Sequence, residues 1–145
     1  MSRNPNDLHP DILDAYHAFM SACKMHKIDV LVTCTYRSTE EQAELYTQGR
    51  TMPGRIVTNA KPGESKHNFK LANGAPASKA FDVVPLRNGK PIWGTGGNGI
   101  DDDPTDDDTD DLELWERVGA LGEMCGLSWA GRWTKLKEYP HFEVA

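Results

Sequence analysis

The chain has 145 residues, 38% of them apolar and 26% charged, and a formal net charge of −6, which suits a single globular domain with one core. No apolar stretch nears the ~20 residues of a membrane helix, and the first residues lack the apolar segment of a secretory signal, so the expected location is the cytoplasm. Lys and Arg form no stripe interleaved with aromatics, which excludes the usual nucleic-acid binders, and Cys23, Cys34 and Cys125 are too few and too scattered for a disulfide framework and read as small buried apolar residues.

In chain order, Pro10 opens a segment in which Ile12, Leu13, Tyr16, Phe19, Met20 and Cys23 recur at three- and four-residue spacing, predicting a helix over 10–26 with one buried face. Residues 28–36 are rich in β-branched and aromatic types and predict a half-buried strand, with Arg37 at its end. Ser38 and Glu41 form a capping box, so 38–48 reads as a helix that Gly49 stops. Residues 50–66 hold Pro53, Gly54, Pro62 and Gly63 and read as a loop delivering the chain to His67. Asn73-Gly74 and Asn88-Gly89 each predict a hairpin, the second joining 81–86 to 91–93.

Residues 94–111 turn Gly-rich and then Asp-rich. Asp101, Asp102, Asp103, Asp106, Asp107, Asp108, Asp110 and Asp111 alone outweigh the net charge of the chain. An exposed, self-repelling loop is expected there, since the run lacks the glycine of a calcium-binding EF-hand loop. Leu112, Trp115, Val118, Leu121 and Met124 predict a third helix ended by Gly126, and 127–144 predicts two strands. This order does not alternate as a doubly wound sheet requires. The expected fold is a single α+β domain over 1–145, with a small, mainly antiparallel sheet flanked by about three helices.

Five histidines are the natural place to look for chemistry. His9, His17 and His26 lie on or beside the first helix and read as structural. His67 follows Ser65-Lys66, and His141 sits within Glu138-Tyr139-Pro140-His141-Phe142-Glu143. Asp82 stands alone among Phe81, Val83 and Val84 on a strand, where a carboxylate needs a partner. Two imidazoles and one carboxylate match a catalytic zinc site with one position open, whereas each residue taken singly reads more readily as structural. Glu143 shares a strand face with His141 and reads equally as a partner of that ring or as a solvated carboxylate.

The ordered fragments Ser65-x-His67, Ala80-x-Asp82 and Glu138-x-x-His141 resemble a family of zinc peptidases. That family includes D-alanyl-D-alanine carboxypeptidases, D-alanyl-D-alanine dipeptidases and the L-alanyl-D-glutamate endopeptidases of phage endolysins. The resemblance covers nearly the whole chain. It implies a zinc site at the sheet, held by His67, Asp82 and His141, with Glu138 as general base and Arg37 as the cation facing the transition state. It also implies peptidoglycan stem peptide as substrate and a monomer that stays in the infected host's cytoplasm until released to the wall. Trp129 and Trp133 read as lining of the substrate groove or, more readily, as core, and Ser65 as a substrate contact or as a residue that shapes the turn. The rival readings are a carboxypeptidase or dipeptidase acting on D-Ala-D-Ala and a non-catalytic zinc module that recognises cell wall. Two departures from the family pattern stand out. Asp82 comes fifteen residues after His67 where seven are usual, which reads as an inserted hairpin around Asn73-Gly74. Ser78 replaces a glycine, and its side chain is expected to narrow the cleft.

Overall fold

The computed structural model describes residues 1–94 and 110–145. Helix α1 spans Pro10–Met25, and the His9 ring accepts a hydrogen bond from the Asp11 amide at its start. Strand β1 covers Asp29–Cys34 and helix α2 covers Thr39–Thr47, opened by the Ser38/Glu41 capping box. Strand β2 (Ala80–Arg87) turns through Asn88-Gly89 into the short β3 (Lys90–Pro91). Both turn residues hold positive φ, 53° and 78°, the backbone that a tight two-residue hairpin requires and that Asn and Gly adopt at least cost.

Helix α3 spans Asp110–Met124, β4 Leu127–Trp129 and β5 His141–Val144. All strand pairs are antiparallel, in the order β1-β2-β5-β4 with β3 beside β2. Helices α1 and α3 pack on each other and on one face of the sheet. Between them Ile12, Phe19, Phe81, Trp115, Val118 and Phe142 form the core, each essentially sealed from water. Among the described residues the expected α+β fold, with three α-helices and an antiparallel sheet, is the observed one.

One boundary differs. Most of the expected acidic loop over 94–111 lies outside the described residues, but its end belongs to α3. There Asp111 is buried and bonds Arg87 at 2.7 Å. A carboxylate near a helix N-terminus that also meets a guanidinium is stabilised by both, so this aspartate folds inward although its neighbours in sequence read as solvated.

Candidate metal centre and substrate cleft

Side chains alternate along β2, sending Phe81 and Val83 to the core and Asp82 to the opposite face. Asp82 pairs in register with His141 on β5, so two adjacent strands bring a carboxylate and an imidazole to one point. His67 arrives on a single turn of 3-10 helix, Lys66–Asn68, capped by the Ser65 hydroxyl. That turn is tied to the end of β1. The Arg37 amide donates to the His67 carbonyl at 3.0 Å, and the buried Asn68 side chain donates to the Arg37 carbonyl at 2.8 Å.

The long interval between His67 and Asp82 is a hairpin. The Leu71 amide donates to the Ala75 carbonyl at 2.9 Å, Ala77 to Phe69 at 3.0 Å and Lys79 to Lys66 at 3.0 Å. The chain thus returns to where it left, and eight extra residues do not separate the two side chains. Ser78 does not narrow the cleft as expected. It is fully buried, its hydroxyl turned to the Ala80 carbonyl and its backbone paired with Asp7 and His9.

Three atoms converge: His67 Nε2 to Asp82 Oδ1 at 3.0 Å, His67 Nε2 to His141 Nδ1 at 3.1 Å, and His141 Nδ1 to Asp82 Oδ1 at 3.2 Å. Their partners assign the ring protons. His67 Nδ1 lies 2.8 Å from the Thr35 carbonyl, and His141 Nε2 lies 2.8 Å from Glu143 Oε1. Both oxygens only accept, so these nitrogens donate, and in neutral rings the inward nitrogens present lone pairs. Three acceptors then face one another with no proton between them, an arrangement that calls for a cation.

A tetrahedral zinc ion with ligands at ~2.0–2.1 Å sets them roughly 3.3–3.4 Å apart, so a triangle with sides of 3.0–3.2 Å fits it with a small spread. The outer bonds to Thr35 and Glu143 are those that orient metal-binding imidazoles elsewhere. Without a metal, a proton supplies the charge. Burial pulls the His141 imidazole down most strongly, yet bonds to Asp82 and Glu143 outweigh it and hold the ring up at about 9. Burial likewise acts to raise Asp82, but the two imidazoles keep it well below the usual carboxylate range.

Cys34, which reads from sequence as plain core, belongs to this neighbourhood: Cys34, His67 and Asp82 also offer ligand atoms within 4.8 Å of one another. Its sulfur, however, stands 3.8 Å from His67 Nδ1, the nitrogen already committed to Thr35. Burial and the nearby Asp82 charge push the thiol up to about 11. The triangle closed by His141 is therefore the better cradle.

Arg37 is buried beside the centre, with Nη2 3.5 Å from Asp82 Oδ2. Its Nη1 donates to Gln42 Oε1 at 2.9 Å, and Gln42, with no exposed surface, donates in turn to the Ala60 carbonyl at 2.8 Å and the Thr58 hydroxyl at 3.3 Å. Glu138 is half-buried, and its carboxylate bonds no other described residue. Burial raises its pKa most, the His141 charge opposing. A desolvated, unpartnered carboxylate beside a cation site has the properties of a general base. Glu143 is the oriented alternative of its two sequence readings, since it also pairs with Lys66 at 2.8 Å.

Two clefts meet at Arg37, Glu138 and His141. One, of about 670 Å³, is lined by Asn59, Ser65, Lys66, Trp133, Thr134 and Lys135. The other, of about 650 Å³, is lined by Leu45, Arg55, Ile56, Val57, Trp93 and Lys137. The Trp133 ring lies 5.5 Å from the His141 ring, whereas Trp129 is core and holds the 130–140 segment by donating to the Tyr139 carbonyl at 2.8 Å.

Two family models described as D-alanyl-D-alanine carboxypeptidase match the chain, one over residues 5–76 and one over 58–144. The peptidoglycan L-alanyl-D-glutamate endopeptidase CwlK of Bacillus subtilis is 36% identical over 140 residues, which cover 97% of this chain and 75% of that protein. Among solved structures, the L-Ala D-Glu endopeptidase ChiX of Serratia marcescens superposes with a TM-score of 0.59 at 19% identity, covering 98% of this chain and 84% of the other. The LD-carboxypeptidase LdcB superposes at 0.60 and 16% identity, covering 94% of this chain and 58% of that one. At such identities the two structures speak for the fold alone.

Proposed function

Because this chain belongs to the family of D-alanyl-D-alanine carboxypeptidases and related endopeptidases, we propose that it is a zinc peptidase that hydrolyses the L-Ala–D-Glu bond of peptidoglycan stem peptides. The observation that carries the reading is the triangle of three acceptor atoms from His67, Asp82 and His141, set where two clefts meet beside Glu138 and Arg37. The choice of bond follows the relative named as an L-alanyl-D-glutamate endopeptidase.

His67, Asp82 and His141 would hold the metal, which when bound supplies Lewis acidity that polarises a carbonyl and readies a water near neutral pH. Glu138, desolvated and unpartnered, takes the proton of the attacking water and passes it to the leaving amine. Arg37, fixed by Gln42 at 2.9 Å, faces the negative charge that grows on the carbonyl oxygen. Deleting one such donor typically costs ~10²–10³ in turnover. The 130–140 segment, which carries Trp133 and Glu138, lines the cleft beside the metal centre.

Mass spectrometry of purified peptidoglycan after digestion tests the bond assignment. Fragments with a new D-Glu amino terminus are expected. Release of terminal D-Ala instead would move the activity to the carboxypeptidase reading that the family models' description favours. A purely structural zinc module is disfavoured because such sites use four protein ligands. The finer role rests on the sequence resemblance: a monomeric phage endolysin, held in the host cytoplasm and released to the wall. Cells expressing the protein should then lyse only when a membrane-permeabilising protein is co-expressed, and lysis from the inside without one would exclude that route.

A further inference from the structure

The two clefts differ in what they offer a ligand. In the arm beside Trp133, Lys66 is committed to Glu143 at 2.8 Å and Arg132 to Glu123 at 3.0 Å, and Glu64 also lines the wall. What remains among the described residues is one aromatic ring, the neutral polar groups of Asn59, Ser65 and Thr134, and the cation Lys135. The opposite arm has apolar walls of Leu45, Ile56, Val57 and Trp93, and its own charged side chains among the described residues are Arg55 and Lys137, the Met1 ammonium that also lines it being paired with Glu41. Apart from Asp82 and Glu138, which belong to the shared centre, no acidic residue among the described ones lines it. Among the described residues neither the Arg55 guanidinium nor the Lys137 ammonium has a hydrogen-bonding or ionic partner. Ile56, Val57 and Trp93 are 44%, 40% and 59% exposed, an apolar patch continuous with the reactive centre of the kind that marks a binding surface.

A stem peptide is asymmetric about the bond in question. On the L-Ala side the chain continues into a neutral, hydroxyl-rich sugar. On the other side D-Glu is linked onward through its side-chain carboxyl, so its α-carboxylate remains free next to the scissile nitrogen, and further carboxylates follow beyond aliphatic stems. Resting on the L-Ala–D-Glu reading above, we propose that the arm lined by Arg55, Lys137 and Trp93 receives the carboxylate-bearing half of the stem peptide. Arg55 and Lys137 bind the α-carboxylate of D-Glu, and the Trp133 arm receives the L-Ala and sugar side. Unpaired cations above an apolar wall complement that half, and an aromatic ring among neutral polar groups complements a sugar. Charge reading of this kind gives specificity rather than chemistry, so Arg55 and Lys137 are specificity residues.

The test uses the full zinc-loaded chain and two synthetic muramyl peptides that differ only in carrying an α-carboxylate or an α-carboxamide on the residue after L-Ala. The wild type should prefer the acid by about tenfold in kcat/KM, as one part-exposed charge-assisted hydrogen bond provides. Arg55→Ala and Lys137→Ala should each reduce that ratio, and together bring it close to unity, by raising KM for the acid alone. Arg55→Lys and Lys137→Arg should restore much of it. Lys135→Ala, in the other arm, should leave the ratio where it stands, and Trp133→Ala should weaken both substrates alike. A ratio unchanged by both alanine variants, or one abolished by Lys135→Ala, overturns the assignment while leaving the bond reading intact. A wild-type enzyme that cuts neither peptide after L-Ala removes both.

Discussion

Removing the Glu143 carboxylate should weaken zinc binding without touching a ligand. Glu143 accepts the Nε2 proton of His141 at 2.8 Å and is itself held by Lys66 at 2.8 Å. In Glu143→Ala that buried N–H loses its acceptor, a deficit of ~1–3 kcal/mol. The ring is then free to turn or to shift its proton to the inward nitrogen. Substitution of comparable partners lowers metal affinity ~10–100-fold, the range the hydrogen-bond figure gives independently. Glu143→Gln keeps an acceptor but loses the charge and the Lys66 pair, and should lose about tenfold or less. Competition against a chromophoric chelator near neutral pH measures the affinity directly, and kcat at saturating zinc separates metal loss from altered chemistry. If Glu143→Ala binds zinc within about twofold of wild type, the assignment of the His141 proton to Nε2, and with it the lone-pair triangle, is wrong.

Four further outcomes are expected. Glu138→Gln should cut kcat ~10²–10⁴-fold with full zinc content by metal analysis; near-normal turnover would take the general base from Glu138. Gln42→Leu should lower kcat, with zinc affinity kept, because it frees the Arg37 guanidinium and the 58–60 wall together; an unchanged kcat in steady-state kinetics would mean Arg37 needs no such support. For metal-free protein, the His141 pKa is raised from 6.5 to about 9, so its stabilisation is full below ~6.5 and fades as pH climbs through about 9. Denaturant melts across that window should show the loss, which His141→Gln should abolish. Gly119→Ala places a Cβ 2.3 Å from the Trp129 ring and should cost ~1–3 kcal/mol, seen as a lower melting temperature.

The elements with strong local signals are legible in the sequence. The capping box at Ser38 and Glu41, the Asn88-Gly89 turn and the three- and four-residue spacing in α1 each specify conformation within a few residues, and the fold follows them. The convergence of His67, Asp82 and His141 is legible for a different reason, because three short motifs in fixed order carry it across the chain. The residues that support it are not. Gln42 meets Arg37 and Thr58 only after α2 docks, and Lys66 reaches Glu143 from a position 77 residues earlier. Cys34 looks like any buried apolar residue until β1 delivers it beside His67. Asp111 was hidden by its own neighbours, since a run of aspartates reads as solvated and the partner that draws this one inward lies on β2.

The most direct measurement is anomalous scattering at the zinc edge from crystals of the metal-loaded protein. One strong peak is expected within ligand distance of His67 Nε2, Asp82 Oδ1 and His141 Nδ1 together. A peak bound instead through Cys34, or none above background in an active sample, would contradict the assignment of the metal to these three side chains.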